Sequence, residues 1–367
     1  MDPSFSSPQT GATPPFEAQD PGVSPGGGQF SPNAGYPAEF NGFLPFGMTP
    51  QVFQEKAALK RSARIVGISV LILLAISLLW SFAFLLIAGR LGFHTAEAMA
   101  LLQNPAVMQV LQIAISILLF TVPFLIVFKA FGQRISELVP LGKPKKGRAL
   151  PMFFIGIAFC GFANIASSML SELFSDMGVQ YHVDFGEYPP GWFGFGLTFL
   201  STAVTPALVE EFACRGLILG SLRKYGDGFA IITSSIIFGL LHGNFEQIPF
   251  AFLVGLALGF LVVETGSLWI GIAVHAFNNS VAVVFEYFLN DLSQAHQNAL
   301  YAGFLAVCLL LGLASLLLLK DRRGGFRFEK AQTVSSEKQK YKWFFSSVPI
   351  ILFIIVCLLE AMLYFKF

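Results

Sequence analysis

From about residue 65 onward the chain alternates long apolar runs with short polar connections. The runs fall at 65–88, 107–131, 149–174, 192–222, 228–243, 247–264, 267–289, 300–319 and 344–365. Most approach the roughly 20 apolar residues that a helix needs to cross a bilayer. The pattern therefore predicts an all-α fold: a polytopic membrane helical bundle of eight or nine transmembrane helices. The ninth run is the least firmly implied, because the first eight already make a bundle.

Residues 1–50 are a different material. They hold half of the chain's 20 prolines, mixed with Gly, Ser and scattered Phe, in runs such as Pro14-Pro15 and Pro25-Gly26-Gly27-Gly28. Such a composition cannot bury enough apolar surface to offset the entropy of ordering, so it predicts a disordered cytoplasmic tail. No charged segment followed by an apolar one opens the chain, so it does not read as a signal peptide. The expected organisation is thus a tail over 1–50, a transmembrane core over 51–320, a basic cytoplasmic loop over 321–343 and an additional C-terminal transmembrane helix over 344–367.

Charge in the connections sets the orientation. Lys56, Lys60, Arg61 and Arg64 precede the first run, and Lys129, Arg134, Lys143, Lys145, Lys146 and Arg148 separate the second from the third. Arg223 and Lys224 separate the fourth from the fifth, and Lys320, Arg322, Arg323, Arg327 and Lys330 follow the eighth. The alternate connections carry Glu172, Asp176, Asp184, Glu187 and Asp291 instead. By the positive-inside rule the N-terminus lies in the cytoplasm.

Composition agrees. The chain is 54% hydrophobic and 12% charged, against about 25% charged in soluble domains, so membrane lipids are its surroundings. A net charge of +1 offers no basic footprint for nucleic acid. Cys160, Cys214, Cys308 and Cys357 all fall in apolar stretches without CxxC spacing and read as small buried hydrophobes.

Against this background a few polar residues stand out. Glu210 and Glu211 lie inside the fourth apolar run, with Arg215 after them. Charged groups in hydrocarbon cost roughly 2.5–3.5 kcal/mol each on insertion scales and are usually functional. Glu211 and Arg215 are four residues apart, on one helical face, where they can pair. Glu210 points about 100° away and is left to exchange protons. A helix end at the cytoplasmic surface would also account for Glu-Glu-Arg. His242 closes the run Phe238-Gly-Leu-Leu-His242, and His275 and Asn279 share a face of the seventh run; each of these also fits a packing or interhelical clasp role. Depth argues for more. Counting helix rise from the cytoplasmic ends puts Glu210 at roughly 18 Å, His242 at roughly 21 Å, and His275 and Asn279 at roughly 12 and 18 Å. Three segments bring their polar residues to a common level.

A carboxylate with two imidazoles supports two chemistries. Glu210 can deprotonate a water that His242 orients, while His275 and Asn279 donate to a developing oxyanion. Alternatively Glu210, His242 and His275 can hold zinc in a His₂Glu set, although no HExxH helix is present. Both routes attack a carbonyl, and within a bilayer the natural carbonyl is a peptide bond.

Glu210-Glu211-x-x-x-Arg215, Phe238-x-x-x-His242 and His275-x-x-x-Asn279, in that order on successive apolar helices, resemble the CPBP family. That family comprises type II CAAX prenyl endopeptidases and bacterial Abi-type bacteriocin-processing or immunity proteins. Thr265-Gly-Ser-Leu-Trp269 is also similar to its bacterial members. The likeness covers about residues 190–290. It implies an intramembrane endopeptidase in which Glu210 and His242 activate water, His275 and Asn279 bind the oxyanion, and Glu211, Arg215 and Phe238 support them. No metal is assigned, with zinc as the alternative. The implied partner is a membrane-associated or lipidated peptide or protein substrate. Two other classes share these features: a non-catalytic immunity or scaffold protein that binds a peptide in the same cavity, and a proton-coupled transporter. The transporter should show internal repeats, and none is visible.

Overall fold

The structure, a computed structural model, describes residues 49–90, 92, 95–176, 180–181, 187–323, 333–363 and 365–366. The expected tail lies almost wholly outside the described residues, as does the 324–332 part of the expected basic loop. The described residues are overwhelmingly helical. The helices are α1 (Pro50–Arg90), α2 (Thr95–Leu102), α3 (Pro105–Ala130), α4 (Ile135–Leu138), α5 (Ala149–Asp176), α6 (Gly191–Thr198), α7 (Thr205–Glu211), α8 (Gly220–Leu222), α9 (Asp227–Leu240), α10 (Gln247–Thr265), α11 (Leu268–Leu289), α12 (Gln294–Arg323), α13 (Glu337–Phe345) and α14 (Val348–Met362).

Among the described residues seven helices are long and apolar enough to cross a membrane, or eight if the bent pair α13 and α14 is one span. The chain is an integral membrane protein. Large apolar side chains such as Leu79, Phe82, Trp192 and Leu310 lie more than 60% exposed, as lipid-facing positions do.

All nine expected runs are helical, but the fifth and ninth differ in length or continuity. The fifth run forms α9, only 14 residues long, or roughly 21 Å against a hydrocarbon core of about 30 Å. It stops short because Gly243 takes φ +63° and Asn244 closes the turn. The Asn244 Nδ2 donates to the His242 carbonyl at 3.1 Å, and its Oδ1 accepts from the Gln247 backbone at 2.8 Å. The ninth run splits instead. α13 starts on a capping box between Ser336 and Gln339, and α14 restarts with Pro349 in its first turn, bent 72° away. Proline suits a helix start and not an interior. A helix therefore occupies part of the expected 321–343 loop.

Two apolar clusters hold the bundle. One gathers α1, α3, α9, α13 and α14, with Phe124, Phe128, Phe229, Phe344 and Phe353 at its centre. The other joins α5, α10, α11 and α12 through Met152, Leu258, Val274 and Cys308. α5 and α12 approach closely: a Cβ on Gly312 would run into the Ala158 Cβ, and one on Gly161 would meet Leu305 Cδ2 at 2.9 Å. The basic connections meet at one end. Arg61 donates to the Phe131 carbonyl at 2.8 Å, Ser62 and Tyr225 share a hydrogen bond at 3.3 Å, and Lys340 donates to the Tyr225 carbonyl at 2.7 Å. The loop after α4 clasps the α10–α11 turn through Lys145 to Thr265, Leu268 to Pro140 and an Arg148–Glu264 ion pair.

Candidate active site

The fourth apolar run, Gly191–Tyr225, is not a regular α-helix. It passes through π-helical segments at Phe199–Val204 and Phe212–Leu219, on either side of α7. Pro206 sits in the first turn of α7 and has no N–H to offer the Thr202 carbonyl four residues back. Such local widenings concentrate at functional sites. Here they flank Glu210 and Glu211.

Glu211 turns inward. Its side chain and that of Arg215 are wholly buried and paired at 2.6 Å, as the spacing predicts. The Arg215 guanidinium also stacks on the Phe238 ring, 4.1 Å from its centroid. A contact the sequence does not reveal joins them: His275 Nδ1 lies 3.0 Å from Glu211 Oε1. Glu211 thus links α7, the following π segment and α11. A carboxylate paired with a guanidinium accepts, so His275 Nδ1 carries the proton and donates. The opposite nitrogen, Nε2, faces Glu210 Oε2 at 3.9 Å. That gap is too wide for a direct hydrogen bond and suits an interposed atom.

His242 occupies the turn after α9. The last turn of that helix tightens, with the His242 N–H donating to Gly239 and the Gly243 N–H to Leu240. The Phe238 carbonyl is met by His242 Nδ1 at 2.9 Å. A backbone carbonyl only accepts, so Nδ1 carries a proton and the neutral ring keeps its lone pair on Nε2. Phe238 packs edge-on against both imidazoles, with centroids 4.9 Å from His242 and 5.9 Å from His275.

Asn279 is held at both ends of its amide. Its Nδ2 donates to the Thr202 carbonyl at 3.1 Å, where Pro206 supplies no helical donor, and its Oδ1 accepts from Asn278 at 3.2 Å. Glu210, Phe238, His242, His275 and Asn279 all line one cavity of about 490 Å³ at the seam between the two apolar clusters. The rest of its wall is mostly apolar, with Ile157, Val254, Phe277 and Phe304 among the lining residues, and also carries Asn164, Thr202, Gln247, Asn278 and Tyr301. Glu211 and Arg215 stand behind it. Cys214 is buried and forms no part of the lining.

The structure thus brings together every residue singled out from the sequence. Sequence reasoning missed Thr202, Asn164, Asn278 and Gly271. Asn278 adjoins Asn279, and Gly271 lies one turn before His275, so helical spacing was an available signal for both. For zinc, among the described residues no three His, Cys, Asp or Glu side chains are grouped so as to hold a metal ion. As placed, Glu210, His242 and His275 do not form such a group.

The model of the family described as "Type II CAAX prenyl endopeptidase Rce1-like" matches residues 192–281. Over those residues the chain is similar to that family. The matched stretch begins in α6, ends in α11 and contains every cavity-lining polar residue named in the sequence motifs. The chain is 28% identical over 91 residues to a protein of Bacillus subtilis (strain 168) described as "Putative membrane peptidase YdiL", covering 24% of this chain and 37% of that protein. It is 33% identical over 86 residues to the membrane-embedded CAAX protease MroQ of Staphylococcus aureus (strain USA300), covering 22% of this chain and 35% of that protein. The chain therefore spans little more than a third of the length of these relatives. No solved structure matches it. α1, α12, α13 and α14 lie outside the matched segment.

Proposed function

We propose that the chain is an intramembrane endopeptidase that hydrolyses a peptide bond of a membrane-associated or lipidated peptide or protein. One observation carries the reading. Glu210, His242, His275 and Asn279, from three separate helical segments, converge on a single cavity in a membrane-spanning bundle, and the Rce1-like match covers those segments.

The chemistry follows from the hydrogen-bond directions. Water enters the gap beside Glu210, where the His242 Nε2 lone pair accepts one of its hydrogens. Glu210 takes the water's proton as the oxygen attacks the carbonyl carbon. The carbonyl π pair moves onto oxygen and is met by His275 Nε2–H and by the second N–H of Asn279. The C–N bond then breaks, and Glu210 returns its proton to the leaving amine. Donation from Nε2 requires His275 to carry both protons, because Glu211 already holds the Nδ1–H. With Glu210 and Glu211 ionised, Arg215 and this imidazolium bring the group to zero net charge, which a low-dielectric site favours. Donors fixed before the reaction stabilise the developing charge without reorganising.

Orientation belongs to the same proposal. The basic connections meet at one end of the bundle, which supports a cytoplasmic N-terminus in a bacterial cytoplasmic membrane. The short α9 then leaves its turn, and His242, at membrane depth. Irregular backbone is tolerated there only where protein or a cavity surrounds it.

The test compares detergent-purified wild type with Glu210→Ala on a library of membrane peptides, read by mass spectrometry with and without a chelator. Cleavage by the wild type and none by the variant is the expected outcome. Peptide bound but left intact by the wild type would replace the enzyme with a binding protein.

A further inference from the structure

The cavity wall holds more amide than the proposed chemistry uses. Asn164 on α5, Asn278 and Asn279 all line it, and an Asn in a membrane bundle needs a partner. The three form one chain. The Asn164 Nδ2 donates to the Cys160 carbonyl at 2.9 Å and to Asn278 Oδ1 at 3.3 Å. Asn278 Nδ2 donates to Asn279 Oδ1 at 3.2 Å, and Asn279 Nδ2 donates to the Thr202 carbonyl at 3.1 Å.

The direction of this chain is determined at both ends. Cys160 and Thr202 offer backbone carbonyls, which only accept, so Asn164 and Asn279 must each present nitrogen to them. Given those two, Asn278 has only one orientation that avoids setting oxygen against oxygen or hydrogen against hydrogen. Flipping any one amide breaks at least one bond and creates a repulsive contact. Contact with Thr202 alone tethers one end of the Asn279 amide and leaves its plane free to rotate. A second contact, from Asn278 to the opposite end, fixes the plane. It thereby fixes the direction of the remaining Asn279 N–H, the one left for an oxyanion.

We propose that Asn278 is a positioning residue for the reaction: locked from α5 by Asn164, it holds the Asn279 amide so that its free N–H meets the transition state. This rests on the endopeptidase reading. The role is indirect. Asn278 acts through Asn279, so its effect should vanish when Asn279 has no amide to orient.

The experiment is a double-mutant cycle with Asn278→Leu, Asn164→Leu and Asn279→Ala, singly and in pairs, on the library peptide that the wild type cuts fastest. Removing one oxyanion donor lowers kcat by about 10²–10³-fold, and a mispositioned one by about 10–100-fold. Asn278→Leu should therefore lower kcat by about 10–100-fold with KM nearly unchanged. Asn164→Leu, which reaches the same lock from the other helix, should move kcat in the same direction by less. Neither should lower kcat further in the Asn279→Ala background. A loss from Asn278→Leu that is as large in that background as in the wild type overturns the proposal, as does an unchanged kcat. Thermal unfolding of each variant separates misfolding from misorientation. If Asn278→Leu fails to fold, Asn164→Leu with its Asn279→Ala partner decides. Wild-type cleavage that survives Glu210→Ala would instead sink the endopeptidase site, a different result from additivity within the cycle.

Discussion

Arg215→Met tests whether the buried ion pair holds the site together by charge or by packing. Both side chains of the Arg215–Glu211 pair are fully buried. Arg215 Nε and Nη2 and Glu211 Oε2 have no hydrogen-bond partner among the described residues. Removing Arg215 leaves Glu211 as a buried carboxylate whose one remaining donor is His275. Breaking a buried pair from one side costs about 3–5 kcal/mol, whereas replacing both charges is often neutral. Arg215→Met should therefore lose about 3–5 kcal/mol, and Glu211→Gln with Arg215→Met should recover most of it. Arg215→Lys keeps the charge but loses the planar stack on Phe238, which is worth about 2 kcal/mol when desolvated, so it should fall between. The assay is SDS-driven unfolding in mixed micelles, followed by circular dichroism, with cleavage measured alongside. The double variant should fold and stay inactive, because the carboxylate that holds His275 through Nδ1 is gone. A double variant as unstable as Arg215→Met alone would refute the charge argument and leave lost packing as the cause.

Two further substitutions probe the neighbours. A Cβ on Gly271 would lie 3.1 Å from Glu211 Oε2 and 2.9 Å from Val262 Cγ2; Gly271→Ala should cost about 1–3 kcal/mol by overpacking and lower kcat by displacing Glu211 from His275, and a variant with wild-type cleavage would show that this contact is immaterial. Pro206→Ala returns an N–H that can compete with Asn279 for the Thr202 carbonyl; it should keep or raise the SDS midpoint while lowering kcat about 10-fold or more, and equal kcat would mean that Thr202 does not set the Asn279 amide.

The sequence carries the helices and the faces within each helix, but not the rotation of one helix against the next. Apolar runs locate all the long spans because a bilayer demands them. The i,i+4 rule pairs Glu211 with Arg215 and puts His275 and Asn279 on one face because both facts are local to one helix. The Glu211–His275 bond spans 64 positions and depends on how α11 seats against α7, where Gly271 permits the close approach. Asn164 was invisible for the same reason: its partner is 114 residues away. Run length also misleads where a turn is apolar, and so the α9 run extends past the helix that Gly243 and Asn244 end at Leu240.

The residues that make the site also repair the helices that form it, and this predicts which of them can be removed without cost to the fold. In hydrocarbon an unmet carbonyl is expensive. His242 Nδ1 takes the Phe238 carbonyl at the end of α9, and Asn279 Nδ2 takes the Thr202 carbonyl opposite Pro206. His242→Ala and Asn279→Ala should therefore each lose about 1–3 kcal/mol of stability as well as activity, the desolvation penalty of an abandoned acceptor. Glu210 differs. Its nearest charged partner is His275 at 3.9 Å, and no hydrogen bond from its carboxylate is found among the described residues. Glu210→Gln should shift the SDS unfolding midpoint by less than His242→Ala does while abolishing cleavage. A carboxylate whose one charged partner among the described residues lies beyond hydrogen-bond reach is free to hold water. If Glu210→Gln destabilises as much as His242→Ala does, then Glu210 is a structural group and the base must be sought elsewhere.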